Sequence, residues 1–148
     1  MRCKAVTIAA LIALSLVACG EAPDNHPDKP VTHRRDAFQK ILKAFEPMGM
    51  QLRKNRYNAD QFITQSRELA AHKDGPWQYF GAGTNYPPTH ANDKVWSEPE
   101  KFEAARQAFL KATGDLVAAA DSRDEKRVTA AYEALHDTCR DCHKAFKK

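Results

Sequence analysis

From Val128 to Phe146 the apolar side chains recur three and four residues apart: Val128, Ala131, Leu135, Cys139, Cys142 and Phe146. That is the period of one face of an α-helix. Two of the six are cysteines, and His143 follows the second, so the stripe closes on Cys139-Arg140-Asp141-Cys142-His143. On a helix, positions 139, 142 and 143 share a side, so all three groups can reach one flat cofactor. C-x-x-C-H is the attachment pattern of a c-type haem: two thiols add across the vinyl groups, and the histidine binds the iron. C-x-x-C alone also fits a thioredoxin-like redox pair or half of a zinc site. The chain has no second C-x-x-C, no H-x-x-x-H partner and no βαβ pattern, which favours haem. A redox or structural disulfide and a metal site remain the alternatives.

Three further stretches carry the same periodicity. Phe38, Ile41, Phe45, Met48 and Leu52 form a stripe on a first helix that starts near Thr32. Pro47 and Gly49 interrupt it, and a kink is expected there rather than a stop. A second helix begins at Asn58, where Asn58-Ala59-Asp60-Gln61 has capping-box spacing, with Phe62, Ser66 and Leu69 facing inward. A third follows Ser97-Glu98-Pro99-Glu100, with Phe102, Ala105, Phe109, Ala112, Leu116 and Ala119 inward. The fourth starts at Ser122 and carries the cysteines. Residues 74–96 form a long loop whose Trp77, Tyr79, Phe80, Tyr86 and Trp96 predict packing over one end. Four amphipathic helices predict an all-α, antiparallel up-down four-helix bundle, here built around one covalently bound haem.

The N-terminus reads as an export signal over residues 1–18. Arg2 and Lys4 precede an apolar run from Ala5 to Ala18, too short for a confident span. It ends Leu16-Val17-Ala18-Cys19-Gly20, which resembles a bacterial lipobox, so Cys19 is expected to carry lipid. The bland reading is cleavage after Ala18 with Cys19 incidental. An unpaired cysteine is uncommon in an oxidising compartment, which favours the lipoprotein. The lipobox resemblance further implies sorting to the outer membrane, facing the periplasm, since Gly20 is not the aspartate that often retains lipoproteins at the inner membrane. Residues 19–31, with Pro23, Pro27 and Pro30, read as an extended tether, and residues 32–148 as the bundle. The formal charge of +4 falls to +2 without Arg2 and Lys4, and bases alternate with acids, so no nucleic-acid footprint exists.

Over residues 33–148 the chain resembles the cytochrome c′ family. The resemblance rests on Arg34-Arg35-Asp36-Ala37-Phe38, Tyr57 to Gln61, Pro76 to Thr84, Val95-Trp96-Ser97 before Lys101-Phe102, and the terminal Cys139 to His143 with its basic tail. It implies a high-spin haem with His143 on one side and no protein ligand opposite. It places Arg34 near the haem propionates and Phe38 over the open iron face. Leucine or methionine is commoner there; phenylalanine fills more space, so slow, weak binding of carbon monoxide is expected while nitric oxide still binds. Lys147 stands where the family often has arginine; it keeps the charge and loses the guanidinium fork. The resemblance also implies a homodimer through the first two helices and redox partner proteins.

Met48 and Met50 could serve as axial ligands, but they lie ten and twelve residues past Phe38, roughly 15 Å along a helix. Core packing is the expected role of both. His136 is read as solvated or at the haem edge, and His26, His33, His72 and His90 as exposed. Glu103, Arg106, Lys111, Asp115 and residues 123–127 read as solvated faces. No nucleophile–base pair, phosphate loop or paired carboxylates point to enzyme chemistry. The expected function is a periplasmic cytochrome with a five-coordinate haem for electron transfer or nitric oxide binding. A six-coordinate electron carrier of the cytochrome c-556 type is the alternative; a haem-free structural lipoprotein bundle is the alternative of another class.

Overall fold

The structure, a computed structural model, describes residues 22–148. The signal over residues 1–18 and the lipid site at Cys19 lie outside the described residues. Four long helices carry the fold: α1 (Pro30–Arg53), α2 (Ala59–His72), α4 (Pro99–Asp121) and α5 (Glu125–Phe146). A one-turn helix, α3 (Lys94–Ser97), and a 3₁₀ turn at Trp77–Tyr79 break up the long connection between α2 and α4. Among the described residues no helix is long and apolar enough to cross a membrane.

Local chemistry sets the boundaries. The helix α1 starts two residues before the expected Thr32, because Pro30 suits the first turn and Lys29 takes a left-handed conformation (φ 42°) to enter it. It runs unbroken through Pro47. Asn58 caps α2 as expected, its side chain accepting the N–H of Gln61. For α4 the expected Ser97 cap is absent: Ser97 ends α3, and the helix starts at Pro99 after Glu98 without a side-chain cap. The cap of α5 is Asp124, not Ser122; its carboxylate accepts from Arg127 N–H at 3.0 Å. Arg123 reaches this turn with φ 59°.

The stripes become one core. Ile41, Phe45 and Met48 of α1, Phe62 and Leu69 of α2, Phe109, Ala112 and Leu116 of α4, and Val128, Tyr132 and Leu135 of α5 form a single buried cluster. The helices pack in series, α1 on α2, α2 on α4 and α4 on α5. Side chains close the ring between α1 and α5. Phe45 stacks on Tyr132 with centroids 4.5 Å apart, and His136 lies 6.0 Å from Phe45. His136 is therefore half-buried in an aromatic ladder rather than solvated. Arg106 likewise leaves its expected solvated face; it is half-buried, with its guanidinium 5.9 Å from the Trp77 ring. Buried Thr113 and Ser66 satisfy their hydroxyls on backbone carbonyls of Phe109 and Ile63.

Gly49 permits this closure. A Cβ there would overlap the Tyr132 hydroxyl, and the ring cannot retreat because Phe45 is stacked on it. Gly49→Ala gains about 1 kcal/mol of helix propensity. It is expected to lose more through overpacking, for a net cost of about 2 kcal/mol in denaturant unfolding. Tyr132→Phe on that background should restore part of the loss; an unchanged midpoint for Gly49→Ala would mean that α1 and α5 do not meet here.

The segment 24–31 is not a free tether. Asp24 is buried, accepting from Thr32 N–H at 3.0 Å, from His26 N–H at 3.2 Å and from the Tyr86 hydroxyl at 2.9 Å. Pro30 and Val31 are buried as well.

Candidate haem-binding site

The stripe on α5 places Cys139 and Cys142 as free, half-buried thiols one helical turn apart. Cys139 packs against the main core cluster. Burial raises both thiols, and with Cys139 beside it Cys142 is pushed up to about 11. Both are therefore neutral at physiological pH. His143 follows on the exposed flank of the same turn. Partial shielding, then the Lys147 ammonium one turn on, hold its imidazole below the usual histidine range, so its nitrogens are free of a second proton and able to donate.

A cavity of about 400 Å³ opens beside Cys142, between α4 and α5. Ala105, Ala108, Ala145 and Phe146 form its apolar wall; Lys94, Lys101, Glu98 and Asp141 line it with charge. Cys139, His143, Arg34 and Phe38 do not line it. Phe38 lies across the bundle on α1, half-buried against the same core cluster as Cys139. It meets Trp77 edge-on at 5.6 Å and Phe80 at 6.4 Å. Phe80 contacts Phe102 at 4.9 Å, and Phe102 contacts Phe146 at 5.3 Å. An aromatic chain thus joins the expected open-face residue to the end of the cysteine-bearing helix.

Arg34 is buried on the first turns of α1. Its guanidinium donates to Tyr79 O (3.2 Å), Thr84 O (3.4 Å) and Thr89 Oγ1 (3.0 Å), and lies 4.3 Å from the Phe80 ring centroid. Desolvation lowers its pKa from a very high starting value, which leaves it charged. Both N–H groups of Nη2 and one of Nη1 hold the loop, and the buried positive charge is there to attract an anion such as a propionate. The loop role of Arg34 was not visible in its sequence spacing, nor were its partners Thr84 and Thr89. The aromatic richness of residues 74–96 was the only signal for that end.

The residues fit a covalent haem in chemistry. Two neutral thiols and an unprotonated imidazole share one helical turn, next to an apolar-walled cavity. Among the described residues no group of three or more His, Cys, Asp or Glu is arranged to hold a metal ion, so the zinc alternative has no ligand set there. Met48 is fully buried in the core, and Met50 is 47% exposed rather than packed, so neither stands in the site.

Comparison with known proteins agrees. A family model described as Cytochrome C′ matches residues 29–147. The cytochrome c′ of Rhodospirillum rubrum is 26% identical over 97% of this chain and 97% of its own. The solved cytochrome c prime of Shewanella frigidimarina superposes with a TM-score of 0.79 at 29% identity, covering 84% of this chain and 98% of that one. A nitric oxide complex of a variant from Alcaligenes xylosoxidans gives 0.77 at 28% identity, over 85% and 99%. With its helical bundle, its C-x-x-C-H and a match over most of its length, the chain belongs to the cytochrome c′ family and is a haem protein with one covalently bound haem c.

Proposed function

We propose that this protein is a periplasmic, lipid-anchored c-type cytochrome whose five-coordinate haem binds nitric oxide and exchanges electrons with redox partners. The observation that carries the reading is the pairing of a donor-bearing turn on α5 with a hydrocarbon side chain at the α1 position expected opposite. Cys139, Cys142 and His143 sit together on α5. The residue expected opposite, Phe38, offers only a hydrocarbon ring, and the sulfurs of Met48 and Met50 are elsewhere. The relative from Alcaligenes xylosoxidans forms nitric oxide complexes, and that ligand is carried to this chain on the likeness of the bundle.

When bound, the haem would supply an iron able to change between ferric and ferrous states and to take up a small gas. Cys139 and Cys142 would hold it by thioethers, and His143, its basicity restrained by burial and by Lys147, would donate to the metal. Phe38, backed by Trp77 and Phe80, would present a hydrocarbon ring to the gas and keep water out. Arg34 keeps that backing in place through the loop and supplies positive charge for a propionate.

Optical titration of the matured protein tests this. Reduced protein should bind nitric oxide and bind carbon monoxide weakly and slowly. Phe38→Ala should strengthen carbon monoxide binding by about tenfold or more, equivalent to roughly 1.4 kcal/mol. Tight carbon monoxide binding by the unaltered protein would remove the plug role of Phe38. A sharp low-spin α band in the reduced protein would replace the five-coordinate reading with the six-coordinate carrier.

A further inference from the structure

The helices α1 and α5 begin and end at the same end of the bundle, where the loop between α2 and α4 also lies. Three sets of contacts tie this end together. The Asp24 carboxylate holds Tyr86 of the loop, and the His26 ring stacks on Tyr86 at 5.7 Å. The loop in turn holds the chain's last residues: Asn92 N–H donates to Phe146 O at 2.9 Å, Asn92 Nδ2 to Ala145 O at 2.9 Å, and Lys148 N–H to His90 O at 2.8 Å. Tyr86 is pushed up to about 12, by burial first and then by the Asp24 carboxylate, so it stays protonated and donating at any physiological pH.

Only Gly20 to Pro23 separate Cys19 from this docking point. Five residue steps span at most roughly 18 Å even when fully extended. A lipid on Cys19 therefore cannot let the bundle roam while Asp24 is docked. The opposite end, at Arg53, lies a 24-residue helix away, about 36 Å. Exposed Lys29, Lys94, Lys144 and Lys148 sit at the near end. Exposed Asp28, Asp74 and Asp93 lie among them, so the short tether, and not net charge, sets which end faces the lipid.

We infer that the bundle stands end-on at the bilayer, with its loop end and the C-terminus of α5 against the lipid surface, and that the Asp24–Tyr86 contact is the latch that keeps it there. The inference rests on the lipid-anchor reading of Cys19. It goes beyond that reading by naming the face that meets the membrane. It also places the Cys139 to His143 turn on the membrane-near half of the molecule.

Lysine acetylation footprinting on the full lipidated holoprotein tests it, with phosphatidylethanolamine–phosphatidylglycerol vesicles and mass-spectrometric readout. The Cys19→Ser protein, exported without lipid, gives the unprotected baseline. On vesicles Lys29, Lys94, Lys144 and Lys148 should react several-fold more slowly, while Lys54 and Lys126 at the far end keep their baseline rates. A flexible insert of about eight Gly and Ser residues between Glu21 and Ala22 leaves every bundle contact in place and should abolish most of the protection; Tyr86→Phe should weaken it. Equal labelling of both ends in vesicle-bound protein overturns the orientation and leaves the anchor standing. Protein that fails to sediment with vesicles overturns the anchor and the orientation together.

Discussion

A chain with Cys139→Ser and Cys142→Ser is expected to mature without covalent haem, although it still folds into helices. Serine is close in size to cysteine. The thiols it replaces are neutral in the folded chain, since burial holds both above their ordinary range. The swap therefore adds no charge to a half-buried position. What it removes is the nucleophile, because a hydroxyl does not add to a vinyl group as a thiolate does. Protein expressed with haem-attachment machinery should give no haem-staining band on a denaturing gel and keep a helical far-ultraviolet signal. Its melting temperature should fall, because a ligand that binds only the folded state contributes to stability by mass action or, when covalent, by adding core. His143→Ala separates attachment from ligation. It should keep the stained band and change the absorption spectrum, because the thiols remain and the axial donor does not. A stained band from the double serine variant would mean that the haem is held elsewhere, and the site on α5 would be wrong.

The parts of this fold that could be read from the sequence are those set by periodicity. Phe62, Ser66 and Leu69 were expected inward on α2 and are its three buried residues. Phe109, Ala112, Leu116 and Ala119 on α4 behave the same way. A three-and-four spacing reports one face of one helix, and burial acts on that face directly. Helix starts were less legible. Ser122 and Asp124 both offer a capping oxygen, and which one is used depends on the left-handed turn at Arg123. Ser97 lost its capping role because α3 formed in front of it, a tertiary choice made where Trp96 donates to Phe80 O and Gly81 O. Over residues 24–31 the tether reading failed for a related reason. Prolines and polar residues describe Gly20 to Val31 well as an isolated peptide. No local pattern reveals that a single carboxylate, Asp24, will meet a tyrosine hydroxyl 62 positions later. At the site, C-x-x-C-H points to one turn of α5 as the proposed attachment point. The opposite wall could not be read in the same way, because Phe38 meets the 74–96 loop through long-range ring contacts that carry no periodic signal.

Arg34 should prove the most stabilising single side chain outside the hydrophobic core. It begins on α1, reaches three loop acceptors and lies over the Phe80 ring, which in turn packs on Phe38, Trp77 and Phe102. Arg34→Ala removes three hydrogen bonds from a charged donor and leaves Tyr79 O and Thr84 O short of a donor in a partly buried setting, while Thr89 Oγ1 keeps the N–H of Ala91. At about 1 kcal/mol for each lost bond, the cost is about 3 kcal/mol before any cation–π loss. For a domain of this size that corresponds to a fall in melting temperature of roughly 12 °C. Amide exchange should rise first in the loop, at Tyr79, Thr84 and Thr89, whose N–H groups are held only by short-range turns. Arg34→Lys discriminates a charge from a fork. A lysine keeps the positive charge for a propionate, yet one ammonium cannot span acceptors at residues 79, 84 and 89 while lying flat on a ring. The lysine variant should therefore recover little of the loop protection, even where the haem spectrum is normal. Full recovery of melting temperature and exchange with lysine would show that charge alone matters at this position, and the stapling role of the guanidinium would fall.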